Sequence, residues 1–91
     1  MNKAELIKAI SEQAGSTRAE VERQLDAMLH IIRETVADGD AVKLPGLGVF
    51  KAQARKSRLG YNPRTGERVE IPARRVPIFT PSKSFRDAVS E

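Results

Sequence analysis

Apolar residues in the first fifteen positions recur at the spacing of an amphipathic helix. One side of this predicted helix carries Leu6, Ile7, Ile10 and Ala14. Asn2 is suited to cap its amino end, with Glu5 three residues later as the partner in a capping box. Gly15 suits the position just after the last turn, so the pattern predicts that the helix ends there.

A second, longer helix is predicted from a second capping box, Thr17 with Glu20, to Gly39. Its apolar stripe consists of Val21, Leu25, Met28, Ile32 and Val36. Leu29 and Ile31 widen the apolar surface beyond this stripe. The two helices form a hairpin over about residues 1–40 with more apolar surface than it can bury alone.

A helix-turn-helix reader of the major groove is an alternative interpretation of this helical pair. The polar side of the second helix is acidic, however, with carboxylates at Glu20, Glu22, Asp26 and Glu34. Phosphates that flank the major groove would repel these carboxylates, which disfavours the alternative.

After residue 40 the apolar period changes from helical spacing to alternation, which predicts strands. The pattern indicates, in order, a short strand over 41–44, a longer strand over 47–57, a hairpin tip within 57–69, a returning strand over 69–80 and a short helix over 82–90. Pro72 and Pro77 restrict the returning strand to a sheet edge or to bulges. The limbs over about 55–75 form a long arm with few apolar residues to pack, and Ser82 is suited to cap the last helix.

Composition narrows the class of protein without naming a function. The 91 residues fit one domain over 1–91, and the absence of cysteine together with a single histidine excludes disulfides and His- or Cys-rich metal sites. So small a core is often completed by a partner subunit. No signal peptide or membrane-spanning stretch is predicted, so the cytoplasm is the expected compartment. No nucleophile–base or metal constellation supports an enzyme.

Charge is distributed unevenly along the chain. Residues 1–50 hold 6 basic and 8 acidic side chains, a net charge of −2, whereas residues 51–91 hold 10 and 4, a net charge of +6. The sum recovers the overall charge of +4. A basic surface concentrated on the predicted arm favours a polyanionic partner.

Three motifs at fixed spacing carry a resemblance that covers nearly the whole chain. They are Leu-Pro-Gly-Leu-Gly-Val-Phe at 44–50, Arg-Leu-Gly-Tyr-Asn-Pro-Arg-Thr-Gly-Glu at 58–67, and Val-Pro-Ile-Phe at 76–79. With the preceding helical pair and the short last helix, this order resembles the bacterial HU and integration host factor family of histone-like DNA-bending proteins. The resemblance implies an α+β fold, with a two-helix base, an antiparallel sheet and a protruding β-ribbon arm, assembled as an intertwined dimer.

The resemblance also implies a set of residues that bind double-stranded DNA. Pro63 would be the wedge that enters between base pairs, and the arm would bind through Arg55, Arg58, Asn62, Arg64, Thr65, Arg74 and Arg75. Flanking phosphate contacts on the body would come from Lys3, Lys83 and Arg86. Tyr61 stands where an arginine is common, and it would stack on a sugar, bridge to a phosphate or pack across the arm. Neither a cofactor nor a metal is implied.

The predicted function is bending and compaction of nucleoid DNA by a homodimer with little sequence preference, through arms in the minor groove and with a preference for nicked or distorted duplexes. A heterodimeric, site-preferring subunit like integration host factor is the alternative within the family, and the sequence leaves the subfamily open. Leu47, where phenylalanine is usual, is expected at the dimer core. From another class, the chain would be a basic module that binds RNA or an acidic protein.

Overall fold

The computed structural model describes residues 1–90, so Glu91, the last residue of the predicted domain, lies outside the described residues. The elements are α1 (Lys3–Ala14), α2 (Arg18–Ala37), β1 (Val42–Leu44), β2 (Gly48–Arg55), β3 (Arg58–Tyr61), β4 (Arg68–Ile71), β5 (Arg74–Pro81) and α3 (Lys83–Val89). Two compact units, Met1–Glu34 and the segment from Thr35 onward, are described separately below.

Side-chain caps set the starts of both long helices, as the sequence predicts. Asn2 accepts a 2.9 Å hydrogen bond from the Glu5 backbone N–H, and Thr17 accepts one of 3.2 Å from the Glu20 N–H. The Thr17 hydroxyl also donates to the Glu20 carboxylate at 3.0 Å. At the far end of α1, the Gly15 N–H donates to the carbonyl of Ser11 at 3.0 Å. Local capping therefore confirms the predicted helical boundaries.

In the single chain, several apolar side chains of the helices are exposed to solvent. Ile7 and Val21 are buried, but Met28, Leu29 and Ile31 on α2 are 41%, 39% and 59% exposed. The three exposed residues lie within one turn of helix. This surplus is the one that the periodicity of the second helix predicts.

The second unit is built on an antiparallel sheet with strand order β1–β2–β5. Phe50 on β2 lies opposite Phe79 on β5, and their ring centroids are 4.7 Å apart. Phe85 on α3 extends this cluster, with its ring 6.3 Å from that of Phe79. Pro77 lies on the edge strand β5, as predicted, so the missing N–H breaks no ladder inside the sheet.

Glycine is required where β2 begins. Gly48 is buried, with φ at +156°, and a Cβ placed there would lie 2.4 Å from the Thr80 carbonyl oxygen and 2.8 Å from the Phe79 ring. Ser82 caps α3 by accepting from the Phe85 N–H at 3.2 Å, and its own N–H donates to the Leu47 carbonyl. The start of β2, the end of β5 and α3 are thus joined at one place.

The predicted arm forms a separate two-stranded sheet made of β3 and β4. The ladder between β2 and β5 stops at the pair Arg55–Arg74, and the next pair along is Arg58–Ile71. The single returning strand predicted over 69–80 is therefore wrong: it is divided into β4 and β5, because Pro72 has no N–H to continue the ladder. The tip lies within 57–69, as predicted, and strand pairing persists up to Tyr61 and Arg68 on either side of it.

The predicted α+β class, with its helical hairpin, antiparallel sheet, ribbon and last helix, is confirmed. Across residues 1–90, none of the helices combines the length and apolar character that crossing a bilayer demands.

Candidate nucleic-acid interface

The arm, defined here as residues 55–75, holds most of the predicted DNA-binding residues. It contains seven basic and two acidic side chains, hence a net charge of +5, whereas the whole chain carries +4. The remainder of the chain is therefore slightly acidic. Since the charged side chains of the arm are exposed, this excess of cations faces solvent.

A hydrogen-bonded turn fixes the tip of the arm. The Asn62 side-chain oxygen accepts from the Arg64 N–H at 2.9 Å, and the Asn62 N–H donates to the Glu67 carbonyl at 2.8 Å. The Asn62 carbonyl in turn accepts from the Gly66 N–H at 2.8 Å. Asparagine commonly organises turns through such side-chain bonds to backbone two residues on. Asn62, predicted to touch DNA, thus also holds the turn together.

Pro63 lies within this turn with its ring exposed. Its φ is fixed by the pyrrolidine ring, and the residue before it, Asn62, is held by its bonds within the turn. Thr65 stabilises the other side of the turn by accepting from the Glu67 N–H at 3.3 Å. The tip therefore presents a rigid apolar ring next to an exposed cation, Arg64.

The two faces of the ribbon differ in chemistry. Residues directly opposite each other in an antiparallel pair share a face. One face holds the pairs Arg58–Ile71 and Gly60–Val69, and the Ile71 side chain covers Gly60, where a Cβ would lie 3.1 Å from its Cδ1. The other face holds the pairs Leu59–Glu70 and Tyr61–Arg68. On this second face Leu59 and Tyr61 are 67% and 68% exposed.

At the root of the arm, Arg55 and Arg74 lie directly opposite each other. Like charges in that position destabilise a strand pair by about 0.2–1 kcal/mol. Lys51 lies on the same face of β2, four residues before Arg55, and all three are exposed. Three cations on one face of the sheet form a surface suited to a polyanion.

Arg75 has a structural partner within the fold. It lies on the opposite face from Arg74, and its guanidinium donates at 2.8 Å to the Ala37 carbonyl at the end of α2. The bond satisfies a carbonyl that the helix leaves open. Arg75 is predicted from the sequence as a DNA ligand, and this bond gives it a second role in fixing the helix end.

The predicted body residues lie apart from the arm along the chain and are all exposed. Lys3 forms a 2.6 Å ion pair with Asp26 on α2. The hydrogen bond to Asp26, reinforced by its charge, raises the pKa of Lys3 above the ordinary value of 10.5. Lys83 and Arg86 lie on α3, which also carries Phe85 of the aromatic cluster.

Lys51 and Arg68 add to these basic surfaces, although the resemblance does not place either among the DNA-binding residues. Strand alternation already placed Lys51 on one face with Arg55, which was the available signal. The position of Arg68 opposite Tyr61 follows only from the strand register, which the sequence pattern does not give.

Comparison with known proteins agrees with this geometry. The family model described as bacterial DNA-binding protein matches residues 1–90. The chain is 47% identical over 90 residues to DNA-binding protein HU of Nostoc sp., covering 99% of this chain and 96% of that protein. It is 45% identical over 89 residues to the HU of Geobacillus stearothermophilus, covering 98% and 99%.

Solved structures give the same result. An Anabaena HU–DNA cocrystal structure matches with a TM-score of 0.92 at 47% identity, covering 99% of this chain and 98% of the other. HU from Thermotoga maritima matches with a TM-score of 0.70 at 29% identity, covering 98% of each chain. With its exposed basic ribbon and its match along nearly the whole length, the chain belongs to the bacterial DNA-binding protein family that includes HU.

Proposed function

We propose that this protein is a histone-like architectural protein that binds double-stranded DNA, bends it and compacts the bacterial nucleoid. The observation that carries the proposal is the arm tip, where Asn62 holds an exposed Pro63 on a ribbon of net charge +5. The likeness to an HU chain crystallised with DNA supports it. Such a role places the protein in the cytoplasm, on the nucleoid, and requires no catalysis and no cofactor.

Affinity would come from the cations of the arm and its root. The like-charged pair Arg55–Arg74 is unfavourable in the free protein and becomes favourable when a phosphate lies between the two guanidinium groups. Each phosphate neutralised releases condensed counterions, so binding weakens steeply as salt is added. Such contacts carry no sequence information, which supports binding with little sequence preference.

The bend in the bound DNA would come from Pro63. An apolar wedge between two base pairs holds a kink open at a cost of a few kcal/mol of unstacking. A larger bend adds about 1–6 kcal/mol of elastic energy, offset by phosphates brought onto basic surface. Arg64 beside the wedge and Arg58 on the ribbon are placed to make such contacts, and Lys83 and Arg86 on α3 would add contacts on the body. A nick lowers the bending energy, so nicked duplex should bind more tightly.

Two arms per particle would produce two kinks, and the exposed helical surface supports a dimer. Met28, Leu29 and Ile31 leave substantial apolar area in water in the single chain. Leu47, at 37% exposure, and Phe79, at 39%, add apolar surface in the sheet unit. A second copy of the same chain would cover these surfaces and form the homodimer. The relatives at 40–47% identity are named HU, which supports an HU-like role.

Bending and binding can be tested separately. Fluorophores at the two ends of a random duplex of about 35 base pairs report the bend through energy transfer, since the ends of the straight duplex lie about 120 Å apart. Pro63→Ala is expected to reduce the bend strongly while lowering affinity only a little. Pro45→Ala is the matched control, because Pro45 is an exposed turn proline outside the arm. An unchanged bend in Pro63→Ala would refute the wedge.

A competition titration identifies the partner. Duplex DNA at physiological salt, intact or nicked, should compete away both RNA and acidic protein. A requirement for a defined site or for a second, different chain would instead indicate a heterodimeric subunit like integration host factor. Binding that does not respond to salt would refute the electrostatic account.

A further inference from the structure

Tyr61 is the one aromatic residue outside the phenylalanine cluster of the sheet. The chain contains three phenylalanines, one tyrosine and no tryptophan. Phe50, Phe79 and Phe85 lie near one another around the edge strand and α3. Tyr61 lies at the end of β3 with 68% of its surface exposed. An aromatic ring left this open on a basic ribbon contributes little to folding, so its value lies in a contact with something else.

The position of the ring selects its contact. Tyr61 lies two residues before Pro63 and directly opposite Arg68, which is also exposed. Leu59, two residues earlier on the same ribbon face, is 67% exposed and adds a second exposed apolar side chain beside Tyr61. The opposite face is different, since Ile71 covers Gly60 there and is itself half-buried. Val69 on that face is 46% exposed, against 68% for Tyr61, so the more open apolar surface, a ring beside a cation, lies on the face of Tyr61.

The net charge of the arm indicates which kind of molecule covers the Tyr61 ring. The arm carries seven basic and two acidic residues, and a second arm of the same charge would be repelled. A nucleotide satisfies both halves of the surface, because its base has a flat apolar face and its phosphate is an anion. Aromatic side chains bind unstacked bases through such contacts with little regard for base identity.

We propose that Tyr61 is a nucleobase-stacking residue, which packs against a base that lies unstacked beside the step opened by Pro63 while Arg68 contacts the adjoining phosphate. This inference rests on the proposed function, since the wedge is what exposes a base face in intact duplex. The stacking contact would add to the preference for distorted duplexes that the lower bending cost already gives. DNA with an unpaired nucleotide already outside the stack, such as a single-base bulge, gains the stacking contact without the unstacking cost.

The lone tyrosine supplies its own reporter. With no tryptophan present, the intrinsic fluorescence of the wild-type protein comes from Tyr61 alone. Stacking on a base should quench this emission, and a bulged duplex should quench it more than an intact duplex when both are saturating. The tyrosine emission per molecule of the free protein should not change with protein concentration. A change without DNA would show that arms associate with each other, and it would overturn the proposal.

Variants separate stacking from other uses of the ring. Tyr61→Leu should lower the ratio of affinities for bulged and intact duplex by about five-fold or more, whereas Tyr61→Phe should keep that ratio. Loss of the preference in Tyr61→Phe would assign the contact to the phenol hydroxyl and overturn the stacking. The double variant Tyr61→Val with Val69→Tyr moves the ring to the other ribbon face, and it should lose both the preference and the quenching.

The outcomes also separate this proposal from the proposed function. Salt-dependent binding and a Pro63-dependent bend with no change in tyrosine emission would overturn the stacking and leave DNA bending intact. Equal quenching in the wild type and in the face-swapped variant would show mere proximity to DNA, and it would likewise overturn the proposal. Absence of binding to either duplex would refute both.

Discussion

Gly48→Ala tests the packing at the start of β2, where that strand meets the end of β5. The added Cβ would lie 2.4 Å from the Thr80 carbonyl oxygen and 2.8 Å from the Phe79 ring. Both distances are far inside van der Waals contact. The nearest atom belongs to the backbone of the paired edge strand, so it cannot rotate away as a long side chain would.

Two energies add at this position. Overpacking of this kind destabilises a folded protein by about 1–3 kcal/mol. The backbone strain of an alanine at φ of +156° contributes about another 1–3 kcal/mol. Gly46→Ala isolates the strain, because Gly46 has φ of +88° and a Cβ added there would meet no atom within 4 Å. The difference between the two variants therefore measures the steric clash.

Thermal unfolding followed by far-UV circular dichroism is the assay, at one fixed protein concentration since assembly is linked to stability. In a domain of this size each kcal/mol lowers the midpoint by about 4–8 °C. Gly48→Ala should therefore melt roughly 5–20 °C below Gly46→Ala. Equal melting temperatures would refute the reasoning, because they would show that β5 and the Phe79 ring move aside freely.

Three further predictions concern charge. Arg74→Gln should raise the melting temperature of free protein slightly and weaken DNA binding, because it removes the cation opposite Arg55. Thermal melting and a DNA titration of the same variant check both effects, and a lower melting temperature would contradict the repulsion between the two arginines. Asp26→Asn should release the Lys3 ammonium and strengthen DNA binding about two- to five-fold at low salt, and unchanged affinity would place Lys3 away from DNA. The raised pKa of Lys3 means that the ion pair stabilises the fold fully below the ordinary value of 10.5 and is lost as the pH rises through the raised pKa. The difference in melting temperature between wild type and Asp26→Asn should accordingly stay constant from about pH 6 to 9 and shrink only above pH 10.5. Arg58→Ala should flatten the dependence of log affinity on log salt by about one unit for each phosphate that the arm no longer touches, and an unchanged slope would place Arg58 off the DNA.

Features set by neighbours in the chain were predictable from the sequence. The caps at Asn2, Thr17 and Ser82 each join a side-chain oxygen to a backbone N–H three residues later, so the residue types alone indicate them. Alternation also assigned Lys51 and Arg55 to one face of β2 correctly. Such short-range signals were enough to obtain the helical hairpin, the sheet and the last helix.

Features set by distant partners were not predictable in this way. The Arg75 bond to the Ala37 carbonyl joins residues 38 positions apart, and the Lys3–Asp26 pair spans 23. Nothing in the local pattern marks either pair. The identification of Pro63 as a wedge depends on family resemblance, because without the motif Pro63 is better explained as a turn former. Its role stays a prediction until the bend is measured.

The gap between the two β-ladders divides the second unit into regions with different hydrogen-exchange behaviour. Amides of β2 and β5 belong to a three-stranded sheet with an aromatic cluster, so they should exchange slowly and require broad unfolding to open. Amides of β3 and β4 belong to a two-stranded ribbon with an exposed surface, and an isolated ribbon is only marginally stable in water. They should exchange within the free protein by local opening. Ordering the ribbon on a ligand then draws on the binding free energy, and protection of these few amides becomes a direct measure of how firmly the arm is held.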